Sequence, residues 1–285
     1  MRQTFRRQKQ NKDETLIRKG LVCLLALVMV VSGYKSLSTF LELHSEDKAN
    51  DELIKILEEA ASVELVELEA KPSAEPVDPI ATEAAVEAPE PYMPARNVGY
   101  AKLKEMNSDF YGWLAIDGTK INYPVMSNPK DGQYYLRKAF DKQYSLSGSL
   151  FTDYRCTAGG GNLIIYGHHM KNGTMFGSLP NYAKQYFYDA HKTIQFDTLQ
   201  ANGTYEVMAA FYGKVYKSGE DGLRYYNYYD LSDPAVFDEY VKAAMEISVI
   251  KTGVEASYGD QLLTLSTCSY HTDDGRFVVI AKKVK

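Results

Sequence analysis

Cysteine is scarce, with three in 285 residues at positions 23, 156 and 268. Three scattered thiols build neither a disulfide framework nor a zinc site. Cys23 falls inside an apolar run, and a bridge between Cys156 and Cys268 would consume the better placed thiol, so both are read as free. Basic residues are not in excess either. Lys and Arg total 32 against 37 Asp and Glu, a formal charge of −5, which argues against a general nucleic-acid binder. There is no internal repeat and no phosphate-binding glycine loop, because Gly159-Gly160-Gly161 precedes a strand pattern rather than a helix. No acidic cluster defines a calcium loop, and neither a metal nor another cofactor is expected.

Long apolar runs are absent with one exception. Gly20 to Tyr34, GLVCLLALVMVVSGY, is uncharged and flanked by Lys19 and Lys35. It is longer than most signal-peptide cores and shorter than the roughly 20 residues of an ordinary spanning helix. Val31-Ser32-Gly33 resembles a cleavage site, but the flanking lysines can snorkel and the helical pattern continues through Leu37, Phe40 and Leu41. The reading favoured is an uncleaved, single-pass anchor over residues 20–43. The basic head, residues 1–19, would lie in the cytoplasm and the remainder outside. Residues 44–97 follow as an acidic helical stalk, with Leu53, Ile54, Ile56 and Leu57 at helical spacing, and then a linker rich in Pro, Ala and Glu from Pro72 to Pro94.

A globular domain is expected over residues 98–285. Tyr100 to Phe110 has a helical pattern. Trp113 to Val125 reads as a hairpin around a type I′ Asp117-Gly118 turn. Strands are expected at Ser149–Arg155, Asn162–Tyr166, Thr193–Thr198, Thr204–Tyr216 and Ser248–Val254. A helix from Pro234 to about Ile247 is announced by Asp233 as its N-cap and by proline at its first position. The last stretch, Gln261 to Lys285, reads strand, loop, strand, with Cys268 ending one strand and Arg276 opening the next. Many short strands with one interposed helix predict a mainly β, closed or nearly closed barrel.

The chemistry-bearing residues gather at strand ends. A thiol becomes a useful nucleophile beside a base or cation, and a guanidinium can stabilise developing negative charge. Cys268 and Arg276 supply these two groups. The strand ending at Tyr166-Gly167 delivers His168 and His169, the best base candidates, with His271 second because it sits on the short loop next to Cys268. His191 and His44 read as solvated positions. Cys156 reads as an ordinary buried or half-buried thiol, and the tyrosines of Tyr225 to Tyr229 read first as loop anchors and second as a peptide-contact wall.

Thr264-Leu265-Ser266-Thr267-Cys268 with Arg276 downstream and Tyr166-Gly167-His168 upstream resembles the sortases, the cell-wall transpeptidases of Gram-positive bacteria. Tyr111 to Leu114, Ile121 to Val125, Gly148 to Arg155, His168-His169-Met170 and Thr174 to Phe176 are similar to class B members in particular. The resemblance covers residues 98–285. It implies a barrel of about eight strands with N-terminal helices and a helix inserted before the Cys-bearing strand. It also implies Cys268 as nucleophile, His168 as general acid/base in a thiolate–imidazolium pair, and Arg276 as the oxyanion-holding group. Tyr166, Leu136, Ser266 and Thr267 would line the peptide groove. The implied substrates are the C-terminal sorting peptide of a surface protein, of the Asn-Pro-x-Thr-x type in many class B members, and a peptidoglycan-precursor amine. The competing readings are a Cys-His endopeptidase that releases its product to water and a catalytically silent surface-binding module.

Overall fold

The computed structural model describes the backbone of residues 2–70, 95–157 and 159–284 and the side chains of residues 18–22, 24–62, 98–157 and 159–284. The expected Pro-rich linker, Pro72 to Pro94, lies outside them. The chain divides into two compact units, residues 1–48 and 49–285.

Helix α1 (Arg2–Ala70) supplies the first unit. Its segment from Arg18 to Ser62 includes an 18-residue window of mean hydropathy 1.9, long and apolar enough to cross a membrane. Leu21, Leu24, Leu27, Met29 and Val30 all stand exposed.

The second unit is an eight-stranded closed barrel. Its strands are β1 (Phe110–Ala115), β2 (Asn122–Met126), β3 (Leu150–Thr152), β4 (Asn162–Gly167), β5 (Thr193–Thr198), β6 (Thr204–Lys214), β7 (Leu262–Cys268) and β8 (Gly275–Lys283). They run in the order β1-β2-β3-β4-β7-β8-β6-β5, and β5 pairs back to β1. β2 with β3 and β4 with β7 are parallel pairs, and the other pairs are antiparallel. A parallel pair cannot be joined by a tight turn, so the chain leaves β4 and returns to β7 only after β5, β6 and a helical crossover. Leu262 to Thr267 are buried on both faces, with Leu262, Leu263 and Leu265 packed in the core and the hydroxyls of Thr264, Ser266 and Thr267 hydrogen-bonded.

Inward side chains such as Leu114, Val125, Ile165, Val207, Leu265 and Val279 fill the barrel. Helix α2 (Ala95–Met106) brings Tyr100 and Leu103 against Phe110 and Trp113. Leu53 is buried in the same cluster, with Ile54, Ile56 and Leu57 packed on it, so the compact unit begins ahead of Val98. A short helix, α3 (Gln185–Ala190), precedes β5, where His191 packs on the Phe187 ring at 4.3 Å and bonds the Asp117 carbonyl through Nδ1. Helix α4 (Pro234–Glu246) lays Phe237, Tyr240 and Ala244 on the outer face of β6, β7 and β8. Asp233 caps α4 by accepting from the backbone N–H groups of Ala235 at 2.8 Å and Val236 at 3.3 Å. Asp233→Ala is expected to cost about 1 kcal/mol in urea unfolding, with turnover unchanged.

Three local expectations differ from the structure. The first helix ends at Met106, and Phe110 already opens β1. The Asp117-Gly118 turn is not type I′. Only Gly118 has a positive φ, +76°, and Thr119 N–H reaches the Ile116 carbonyl at 3.2 Å, a type II arrangement inside a longer loop closed by Ile116 N–H to the Ile121 carbonyl at 2.9 Å. Ser248–Val254 forms no strand. The Ser248 hydroxyl donates to the Ile250 carbonyl and accepts from Ala210 N–H, and the segment lies on β6 through that bond, one backbone bond from Val249 N–H to the Ala210 carbonyl and the Thr252 hydroxyl on the Met208 carbonyl.

Candidate active site

β4 and β7 run parallel in register, with Tyr166 opposite Ser266 and Gly167 opposite Thr267. The pairing ends there, so the next residues, His168 just past β4 and Cys268 at the end of β7, emerge side by side. β8 opens on the other flank of β7, in a register that places Arg276 opposite Cys268. Strand pairing therefore delivers base, thiol and guanidinium to one end of the barrel from positions up to 108 residues apart (276 − 168). Gly167 is needed for this approach. A Cβ there would sit 2.4 Å from Leu150 Cδ2 and 2.7 Å from Phe176 Cδ2.

A groove of about 510 Å³ lies over these strand ends. All seven residues singled out on sequence border it: Cys268, His168, Arg276, Tyr166, Leu136, Ser266 and Thr267. The two thiols differ in place, since Cys268 lines this groove and Cys156 sits beside β4; both are free. The Cys156 sulfur accepts a hydrogen bond from Ile164 N–H at 3.4 Å, and burial pushes this thiol up to about 11.

His168 Nε2 is 2.8 Å from the Leu136 carbonyl. A carbonyl only accepts, so Nε2 carries a proton and Nδ1 is the nitrogen that titrates. Burial lowers the imidazole from its ordinary value. The Leu136 bond opposes that shift, and the nearby Arg137 charge adds to it. Arg276 donates from one terminal nitrogen to the Asp274 carbonyl at 3.1 Å and the Gly275 carbonyl at 2.9 Å, which leaves the rest of its five-donor fork available.

Ser266 and Cys268 share one face of β7 by strand alternation. The Ser266 hydroxyl is 2.7 Å from the Tyr225 hydroxyl, and Thr267 donates to the Gly167 carbonyl at 2.8 Å. Both hydroxyls are thus engaged within the wall. Tyr166 donates to Asp153 at 3.0 Å. His271 lies off the groove, with Nδ1 2.9 Å from the Ser269 hydroxyl and its ring 4.9 Å from that of Tyr212.

Two further wall residues, Asp153 and Arg155, have no role in the sequence reading, and a third, Tyr225, is there only one of a run of tyrosines. Tyr225 is buried, which pushes its phenol up to about 12, and it feels the charges of both Arg276 and Cys268. Asp153 takes a two-pronged pair from Arg155, Nε at 2.9 Å and a terminal nitrogen at 2.7 Å. Burial opposes its ionisation, but the Arg155 and Tyr166 bonds outweigh burial and hold the carboxyl below its usual range. Arg155 also donates to the Tyr226 carbonyl at 2.8 Å and lies 4.6 Å over the Tyr229 ring, tying the tyrosine run to the barrel. Asp153 and Arg155, two apart at a strand end, were the available signal. Tyr225 had none beyond its tyrosine-rich surroundings. Among the described residues, no group of three His, Cys, Asp or Glu side chains gathers to hold a metal ion.

Comparison with known proteins gives concordant results. The Sortase domain family profile matches residues 114–284. Sortase B of Listeria monocytogenes is 36% identical over 186 residues, covering 64% of this chain and 72% of that one. Sortase B of Staphylococcus aureus is 33% identical over 190 residues, covering 65% and 75%. The solved Staphylococcus aureus sortase B–substrate complex superposes with a TM-score of 0.67 at 26% identity, covering 86% of this chain and 99% of that one.

Proposed function

Because this chain belongs to the sortase family of cysteine transpeptidases, with class B members as its relatives, we propose that it cleaves a surface protein's C-terminal sorting peptide on Cys268 and passes the acyl group to a peptidoglycan amine. The observation that carries this reading is the meeting of Cys268, His168 and Arg276 around one peptide-sized groove. The thiolate attacks a backbone carbonyl carbon of the peptide. The carbonyl electrons move to oxygen, where Arg276 holds the oxyanion. The C–N bond then breaks, His168 gives its proton to the leaving amine, and a thioester remains. The incoming amine attacks that thioester, returns a proton to His168 and expels the Cys268 thiolate. Tyr166, Leu136, Ser266 and Thr267 shape the groove that holds the peptide. Residues 20–43 anchor the enzyme with its basic head in the cytoplasm and its barrel outside, which concentrates it beside membrane-borne substrates.

The test is incubation of the full-length chain with Asn-Pro-x-Thr-x peptides, with and without a short amine acceptor, followed by mass spectrometry. Transfer product and a thioester adduct at Cys268 are expected. Release to water alone, with acceptor present, would make the protein an endopeptidase, and an inert protein would leave a binding module. The same assay has an expected pH dependence. His168 accepts the thiol proton, so activity is lost as pH falls through its lowered value. The acidic limb of kcat/KM therefore lies below that of an ordinary imidazole, and Arg137→Gln moves it upward by removing a like charge.

A further inference from the structure

The backbone ladder between β4 and β7 stops at Gly167 and Thr267, one residue short of the catalytic pair. Two side chains continue it. Thr267, from β7, donates its hydroxyl to the Gly167 carbonyl of β4 at 2.8 Å. His169, just past β4, has Nδ1 3.0 Å from the Cys268 carbonyl of β7. The carbonyl only accepts, so Nδ1 is the donor. Each strand thus sends a side chain to the other's last backbone oxygen, and His168 and Cys268 lie between the two ties.

His169 is itself held. Its backbone bridges Met175, Phe176 N–H bonds the neighbouring His168 carbonyl at 3.0 Å, and its ring lies 5.4 Å from that of Tyr270. Met175, with φ +51°, is buried and fixed by the Tyr123 hydroxyl at its N–H, 3.2 Å away. The imidazole therefore comes from a braced turn rather than a loose strand end.

We propose that His169 is a positioning residue for the transpeptidase reaction: by donating from Nδ1 to the Cys268 carbonyl it locks the end of β7, and so the thiol, to the strand that carries His168. The proposal rests on the functional reading above for its kinetic arm only. Without this tie the Cys268 carbonyl loses its cross-strand partner, and beyond the Thr267–Gly167 tie the nucleophile's own residue is held only on the β8 side, through Arg276 and the Ser269 N–H to Gly275 bond of 2.9 Å. A misplacement of about 1 Å at the reacting atom can cost on the order of 100-fold in rate.

The experiment compares His169→Ala, His169→Asn and His169→Gln in the full-length chain. The asparagine amide nitrogen occupies the place of Nδ1, whereas the glutamine nitrogen reaches one bond further. Expected is a fall in kcat of about 10- to 100-fold for alanine and glutamine with KM within about twofold, and recovery to within about fivefold for asparagine. The substrate-free arm is the rate of iodoacetamide alkylation at Cys268, read by mass of the peptide that carries it. It should slow at least about threefold in alanine and glutamine and not in asparagine, because a displaced thiol loses its base.

Wild-type behaviour in the alanine variant overturns the proposal. So does equal impairment of asparagine and alanine, which would make the ring rather than the donor the essential part, and so does a rise in KM alone, which would make His169 a peptide contact. If the alanine variant fails to fold, asparagine against glutamine still decides. Should the wild type transfer no peptide while the alkylation pattern holds, the functional reading falls and the tie stands. Normal transfer without the variant pattern does the opposite: the tie falls and the functional reading stands.

Discussion

Cys268→Ala is expected to abolish peptide transfer, by on the order of 10⁴- to 10⁶-fold, with an unchanged melting curve. The substitution removes one sulfur from a half-exposed side chain at the end of β7, and the backbone pairing with Arg276 does not depend on it. No other side chain bordering the groove is a thiol, so no neighbour can take over the covalent step. Cys156→Ala serves as the contrast. That thiol is half-buried, pushed up to about 11 by desolvation and bonded to Ile164 N–H, so it is a poor thiolate at neutral pH. Its loss should leave turnover within about twofold and cost on the order of 1 kcal/mol of stability. The checks are kcat/KM on a sorting peptide, a trapped thioester by mass, and thermal unfolding. Full turnover by Cys268→Ala, or its loss in the folded Cys156→Ala variant, would sink the assignment of the nucleophile.

The second large effect is expected at Arg276. Two backbone carbonyls hold one nitrogen of its guanidinium, so the remaining donors are aimed before substrate arrives. A donor placed where charge develops and nowhere else stabilises the transition state over the bound peptide, at about 3 kcal/mol. Arg276→Met should therefore lower kcat by on the order of 10²- to 10³-fold with little change in KM. Arg276→Lys should recover only part of the loss. Lysine keeps the charge, but its ammonium cannot bond Asp274 and Gly275 and still present a planar fork. Steady-state kinetics separates the cases. An effect confined to KM would mean that Arg276 binds the peptide in its ground state, and full rescue by lysine would mean that charge alone matters.

Which parts were legible in advance follows from the range of the forces involved. Alternating or continuous apolar runs marked β4, β7 and β8, because burial of a strand face leaves a period of two in the chain. Asp233-Pro234 marked the start of α4, because an exposed helix start needs an acceptor within its own first turn. Ser248 to Val254 had strand-like residues and formed none. Its serine satisfies the local backbone itself, and the barrel had already closed through β6 and β8. The Asp-Gly pair signalled a turn, yet the type was set by the six-residue loop around it.

The same division holds at the candidate site. Residue types, strand-end positions and chain order were enough to select Cys268, Arg276 and the pair His168-His169 from the sequence, since nucleophile, base and cation are read from side-chain chemistry and their exposure from the ends of apolar runs; only the family resemblance picked His168 within the pair. Their meeting was not readable from those signs. It depends on the parallel pairing of β4 with β7, which joins residues about 100 apart and competes with other pairings of similar local appeal until the barrel closes. The Asp153–Arg155–Tyr166 wall, the place of Tyr225 and the His169 tie are further consequences of that closure. Apart from the local Asp153–Arg155 pair, each joins residues remote in the chain or in loops without a periodic pattern, and no local preference records it. Composition and spacing carry what a side chain can do, while the register of one parallel strand pair settles which side chains do it together.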